Sequence, residues 1–219
     1  KIMTGVEGTG IHFELDKGCI QQVIKAMRGL KKSEESVFKT AINNTASRAQ
    51  KLLVSQANQV YGGEAPRGIL ERSSIKKSTV SNLGTIIFFR SEQPDITKFR
   101  VSASGRSPTP IAWANGRRLK FPISTHQLKG KGLEELSGDH GMAFAIRFSN
   151  GKLAIVTRMG RKTYGGKGKK DKLKVIMGSS DRSMVRNEKV YGKVQGKITD
   201  ILNQQCQKAL EKSLAGGKK

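Results

Sequence analysis

The sequence predicts an α+β fold: an antiparallel sheet built from hairpins, packed against two long amphipathic helices, with extended loops. Three patterns carry the expectation. Apolar residues recur at three- and four-residue intervals over residues 34–60 and again over 183–214, the spacing that gathers side chains on one helix face. Apolar and β-branched runs flank Ser149-Asn150-Gly151, and Asn-Gly signals a hairpin because both residues tolerate the positive φ of a type I′ turn. A third short run, Leu173-Lys174-Val175-Ile176-Met177, has the same strand character.

In chain order, a first helix is expected over residues 16–30, where Cys19, Ile20, Val23, Ile24, Met27 and Leu30 keep the helical rhythm. Lys31-Lys32 suit the negative end of its dipole. Ser33 is placed to cap the next helix, with Glu34 and Glu35 at its positive end. Its apolar face reads Val37, Phe38, Ala41, Ile42, Thr45, Ala46, Ala49, Leu52, Leu53, Ala57 and Val60, and Gly62-Gly63 ends it. Residues 66–80, with Pro66 at the start and Arg72, Lys76 and Lys77 around Ile75, are expected as a short basic helix and a turn. Residues 84–89 and 96–102 are expected to pair as a first hairpin, with Pro94 in the connection, where it costs no ladder bond.

Residues 103–140 sustain no period and read as an irregular excursion from the sheet. The second hairpin occupies residues 143–159, and a basic, glycine-rich loop follows over 160–171. Phe88, Phe89, Phe144 and Phe148 sit in strand patterns and are expected in the sheet core. The last helix, residues 183–214, places Val190, Tyr191, Val194, Ile198, Ile201, Leu202, Cys206, Ala209 and Leu210 on one side. The expected organisation is an N-terminal extension (1–16), one α+β domain (17–214) and a basic tail (215–219).

Charge bounds the partners. Forty-one Lys and Arg against 17 Asp and Glu give a formal net charge of +24, so polyanions are the expected neighbours: nucleic acid, acidic protein surfaces or anionic lipid. No run approaches the roughly 20 apolar residues of a spanning helix, and residues 2–15 lack the apolar core of a signal peptide. The expectation is therefore a protein of the cytoplasm when made, with no membrane partner. Cys19 and Cys206 stand far apart without a metal-binding spacing and are expected as buried reduced thiols.

No enzyme is expected, and no cofactor or metal. His12, His126 and His140 lie in separate regions, and a nuclease would need grouped carboxylates to hold Mg²⁺. Glu34-Glu35 serve a helix start and Glu134-Glu135 fall in irregular chain. Gly165-Gly166-Lys167-Gly168 lacks the spacing and the Ser or Thr of a phosphate loop, and Gly8-Thr9-Gly10 lacks the third glycine of a dinucleotide fingerprint. Aromatic residues make up only 5% of the chain, too few and too scattered for single-strand recognition by stacking.

The order of four segments carries a family resemblance: VFKTAINNTASRAQKLL from Val37, ILERSSIKKSTV from Ile69, AFAIRFSNGKLAIVTRM from Ala143, and LKVIMGSS from Leu173 leading into the last helix. In that order and spacing the chain resembles the minor tail protein Z family of tailed bacteriophages and the related tail-completion proteins of the head–tail joining region. Residues 1–16 and much of 103–140 have no counterpart in it and are expected as virus-specific contacts. The resemblance implies a structural virion component at the head-proximal end of the tail, assembled in the host cytoplasm. It would join head to tail and position the genome end.

The implied partners are other tail and neck proteins (tail terminator, tail tube or connector) and the genomic DNA end, within a ring-forming homo-oligomer. Candidate DNA or partner contacts are Lys76, Lys77, Arg117, Arg118, Lys120, Arg161, Lys162, Lys167, Lys169 and Lys170, with Trp113 as a candidate interface anchor. The alternative is a free, nonspecific nucleic-acid-binding protein, whose affinity would fall steeply with salt whereas an apolar assembly interface would persist.

Overall fold

The computed structural model describes residues 3–7, 10–14, 34–102, 123–138, 141–159 and 173–216. Over them the protein is mixed α+β, and its sheets are antiparallel. The chain divides into two compact units: Lys1–Ala57 with Arg67–Ser91 and Asp181–Lys219, and Asn58–Pro66 with Glu92–Ser180. The helix expected over residues 16–30 lies outside the described residues.

The first unit combines helices with a four-stranded sheet. Helix α1, Glu34–Val60, buries Val37, Phe38, Ala41, Ile42, Thr45, Ala46, Ala49, Leu53 and Ala57, together with Val54. Thr45 is tolerated there because its hydroxyl donates to the Ala41 carbonyl at 2.8 Å, which satisfies the buried oxygen inside the helix. Strands β1 (Met3–Glu7), β2 (Gly10–Glu14), β3 (Ser74–Lys76) and β4 (Thr85–Phe88) are ordered β1-β2-β4-β3. A row across this sheet aligns Ile11, Ile87 and Ile75, of which Ile11 and Ile87 are buried. Residues 3–7 and 10–14, expected as part of an extension, thus supply two paired strands of this sheet.

Two expectations change here. Residues 74–76 are a strand rather than part of a basic helix, and the helical turn upstream is confined to a 3-10 turn at Ala65–Gly68. Pairing settles it: Ser74, Ile75 and Lys76 lie opposite Phe88, Ile87 and Ile86 of β4, and the three alternate exposed, half-buried, exposed as strand residues do. Nor do residues 84–89 and 96–102 form a hairpin. Strand β4 pairs with β2 and β3, residues Ile96–Lys98 form a 3-10 turn, and β5 (Arg100–Ser102) pairs with β6 (Ser124–His126).

The C-terminal part of the first unit is two helices, α2 (Asp181–Arg186) and α3 (Glu188–Gly216), rather than one. The break is Asn187, whose Oδ1 accepts from the Lys189 amide at 2.9 Å. A side-chain oxygen bonding the amide two residues on is an N-cap, and it starts a new helix. Helix α3 buries Val190, Val194, Ile198, Leu202 and Gln205. Leu202 meets Phe38 and Ile42 of α1 in one cluster, against which Leu83 and the half-buried Cys206 pack. Cys19 lies outside the described residues.

The second unit is built from small sheets: β5-β6-β7 with β7 at Glu134–Glu135; β8 (Ser137–Gly138) with β9 (Gly141–Met142); and β10-β11-β12, which are Phe144–Arg147, Leu153–Arg158 and Leu173–Val175. Glu134 and Glu135, expected in irregular chain, are therefore in a strand. The hairpin at 143–159 has the expected strands, with Phe144 opposite Val156 and Arg147 opposite Leu153.

Its turn differs from the type I′ expected. The Gly151 amide donates to the Phe148 carbonyl and the Phe148 amide to the Lys152 carbonyl, each at 2.9 Å, with Gly151 at φ 79°. That is a three-residue loop closed by a left-handed glycine. Phe148, at its mouth, is 40% exposed rather than in the core, whereas Phe89 is buried. Gly63 (φ 82°) lets the chain lie close against Lys98 and Phe99, where the Glu64 amide donates to the Lys98 carbonyl at 2.7 Å.

Candidate functional site

Of the basic candidates, Lys76 and Lys77 are described, and both are exposed. Their segment is fixed at each end to α1. Upstream, the Gln50 amide donates to Ser73 Oγ at 2.8 Å, and Ser73 Oγ donates to the Leu70 carbonyl at 2.8 Å. Downstream, the Asn43 side chain holds Ser78 twice, accepting from its amide at 2.8 Å and donating to its carbonyl at 3.3 Å. Thr85 Oγ1 also donates to the Lys76 carbonyl at 2.7 Å. Lys76 therefore ends a braced strand at the edge of its sheet, with Lys77 just beyond it, both exposed. Lysine on an edge also discourages pairing with another chain, so this pair has a structural explanation of its own.

Trp113, Arg117, Arg118 and Lys120 lie outside the described residues, as do Arg161, Lys162, Lys167, Lys169 and Lys170.

A second set of cations stands on α3, and sequence reasoning passed over it. The helix opens with a four-residue repeat, KVYG-KVQG-KITD, over residues 189–200. Four residues are slightly more than one helical turn, so equivalent members line up about 6 Å apart along the axis. Val190, Val194 and Ile198 form the buried seam. Lys189, Lys193 and Lys197, one position earlier, form an exposed row beside it. Gly192 and Gly196, a further position earlier, run along the outer flank of the lysines. The repeat was legible as periodic charge, but attention to the apolar seam alone conceals it.

Among the described residues, no carboxylate stands within ion-pairing reach of Lys189, Lys193 or Lys197. The nearest acid in sequence, Glu188, points elsewhere: its carboxylate leans over Gly192, where a Cβ would meet Oε1. Glu188 occupies the first turn of α3, where negative charge suits the helix dipole. Asp200 closes the repeat as an exposed acid. The start of α3 is positioned by Asn187 and by Gln56, whose side chain donates to the Lys189 carbonyl at 3.4 Å.

Helix α2, just upstream, is fastened by an ion pair. Arg72 Nε and Nη2 donate to Asp181 Oδ2 and Oδ1, each at 2.8 Å. Asp181 is 3% exposed and Arg72 33%. The hydrogen bond from the guanidinium to this carboxylate, aided by its charge, raises the Arg72 pKa above its ordinary value. The pair joins the segment before β3 to the helix that leads into α3, and the Arg182 amide adds a bond to the Arg90 carbonyl at 3.0 Å.

Several lysines of the second unit are engaged differently. Lys98 pairs with Glu64 at 3.6 Å, Lys131 with Glu134 at 3.2 Å and Lys152 with Asp95 at 2.8 Å. Lys129 Nζ donates to the Asn58 carbonyl at 2.6 Å and its amide to the Val60 carbonyl at 2.8 Å, placing a cation at the negative end of α1. Among the described residues no group of three or more His, Cys, Asp or Glu could hold a metal ion, and no helix is long and apolar enough to cross a membrane. Comparison with protein-family models, with curated proteins and with solved structures gave no match.

Proposed function

We propose that this protein is a structural component of a tailed-bacteriophage virion, a tail-completion or minor tail protein at the head-proximal end of the tail. In this reading it binds and positions rather than catalyses. The order of elements supports it: long helix α1, the 144–158 hairpin, strand β12 and the long terminal helix α3 follow the order on which the family resemblance rests. In the first unit, the two long helices and the hairpin-built sheet would serve as the rigid body. The basic segments would face neighbouring tail and neck subunits or the genome end, and a ring of copies would suit a symmetric tail. A net charge of +24 fits a site beside packaged DNA, since phosphate neutralisation releases counterions without reading sequence.

The test is fractionation of nuclease-treated particles from the source culture, with heads and tails separated and probed at low and high salt. Retention in the tail fraction at high salt is the expected result. Recovery only with free nucleic acid would overturn it and leave the second reading, a free nonspecific nucleic-acid-binding protein. The lysine row on α3, which has no carboxylate partner among the described residues, specifically favours that alternative.

A further inference from the structure

We propose that Lys189, Lys193 and Lys197, with Gly192 and Gly196 beside them, form a contact surface for the phosphate backbone of double-stranded nucleic acid. The inference deepens the polyanion part of the reading above and rests on it for the class of partner. Three properties of the row specify the ligand. First, the charges are exposed and lack carboxylate partners among the described residues, so no internal ion pair must be broken for an anion to bind. Three lysines at four-residue spacing cover ~12 Å of helix, comparable to the rise along the duplex axis of three to four phosphates of one strand at ~3.4 Å each.

Second, the surroundings disfavour the other polyanions. An amphipathic helix held at a lipid surface must insert an apolar face, but Val190, Val194 and Ile198 are already buried in the protein. Protein interfaces are built around aromatic, Met and Arg anchors and are poor in Lys, and the exposed residues of this repeat are the three lysines, the two glycines, Gln195 and, at its end, the single acid Asp200. It also offers no exposed aromatic ring on which a single-stranded base could stack. A flexible point charge that contacts phosphate without reading bases is what remains, and lysine supplies it.

Third, the described residues give the glycines no internal explanation. A Cβ at Gly196 would meet nothing within 4 Å, and one at Gly192 would meet only the movable end of Glu188. Glycine weakens a helix interior relative to alanine. Its use at two positions flanking the lysines, where no packing requires it, leaves a smooth strip along which a phosphate backbone can approach the helix closely.

The experiment measures binding of the full chain to a mixed-sequence duplex of about 30 base pairs by fluorescence anisotropy across a salt series. Each neutralised phosphate contributes about 0.9 to the slope of log K against log salt. The triple variant Lys189→Gln, Lys193→Gln, Lys197→Gln is therefore expected to flatten the slope by about 2.7 and to weaken binding about tenfold or more at low salt. The charge-matched variant Lys98→Gln, Lys131→Gln, Lys152→Gln removes lysines that already have carboxylate partners and is expected to keep the wild-type slope. Gly196→Leu is expected to lower affinity with the slope retained and the circular dichroism unchanged. If the triple variant folds poorly, Lys193→Gln alone is expected to flatten the slope by about 0.9.

An unchanged slope in the stripe variant would reduce the row to a solvated face and overturn the proposal. So would equal losses in the two triple variants, or phosphatidylserine vesicles binding as tightly as duplex with the same dependence on these lysines. Because the assay uses purified protein, its failure leaves particle fractionation untouched, and absence from particles leaves this binding result untouched.

Discussion

Arg72 and Asp181 show at the scale of single residues how much one contact between distant segments can carry. The carboxylate is nearly inaccessible to water and both its oxygens are taken up by one guanidinium, so removing the arginine strands a buried charge. Arg72→Met is expected to lower unfolding stability by about 3 kcal/mol, the lower end for breaking a buried pair because the guanidinium is itself part-exposed. Arg72→Lys should recover part of that loss, since an ammonium cannot reproduce the two-pronged geometry. Urea denaturation of the three proteins checks both.

Lys152 offers a pH test. Its hydrogen bond to Asp95, with that carboxylate's charge, raises the lysine pKa above 10.5. A cation whose pKa is raised on folding binds its proton more tightly in the native state, so its contribution is fully present below 10.5 and disappears as pH rises through the folded value. The stability difference between wild type and Lys152→Met should therefore be constant from pH 7 to about 10 and shrink above it. A difference that grows with alkalinity would contradict the assignment.

At the scale of elements, Asn187 decides that the C-terminal segment is two helices. Its side chain caps α3 through the Lys189 amide, and its carbonyl accepts from Val190 and Tyr191 at 2.8 Å each. Asn187→Ala is expected to cost about 1 kcal/mol, the usual worth of an N-cap, and to lower the melting temperature without changing overall helix content. The position was readable in sequence as an asparagine preceding Glu188, but unbroken apolar periodicity on both sides masked it. The strand at Ser74–Lys76 was concealed for the opposite reason. Three residues are too few to establish a period, so their pairing with β4 settles their conformation. The hairpin turn shows a finer limit: Asn150-Gly151 announced a reversal, while the closing hydrogen bonds of Phe148 selected the three-residue loop.

For the whole molecule, a net charge of +24 implies self-repulsion that salt relieves. The melting temperature is expected to rise as sodium chloride goes from low to near-physiological concentration, where the screening length falls to about 8 Å. A melting temperature that falls with salt would mean that attractive pairs such as Arg72–Asp181 outweigh the repulsion.

The sequence by itself determined the α+β class, the α1 seam, the strands around Asn150-Gly151 and the basic character. Each of these is written in local periodicity, turn chemistry or composition, which need no distant partner. Tertiary structure alone decided that β4 lies between β2 and β3 and that β5 belongs with β6. It also paired Arg72 with Asp181 and turned one row of α3 lysines outward. Strand pairing and burial are settled by contacts between residues far apart in the chain, where many pairings satisfy the same local pattern and the competition to bury apolar surface selects among them.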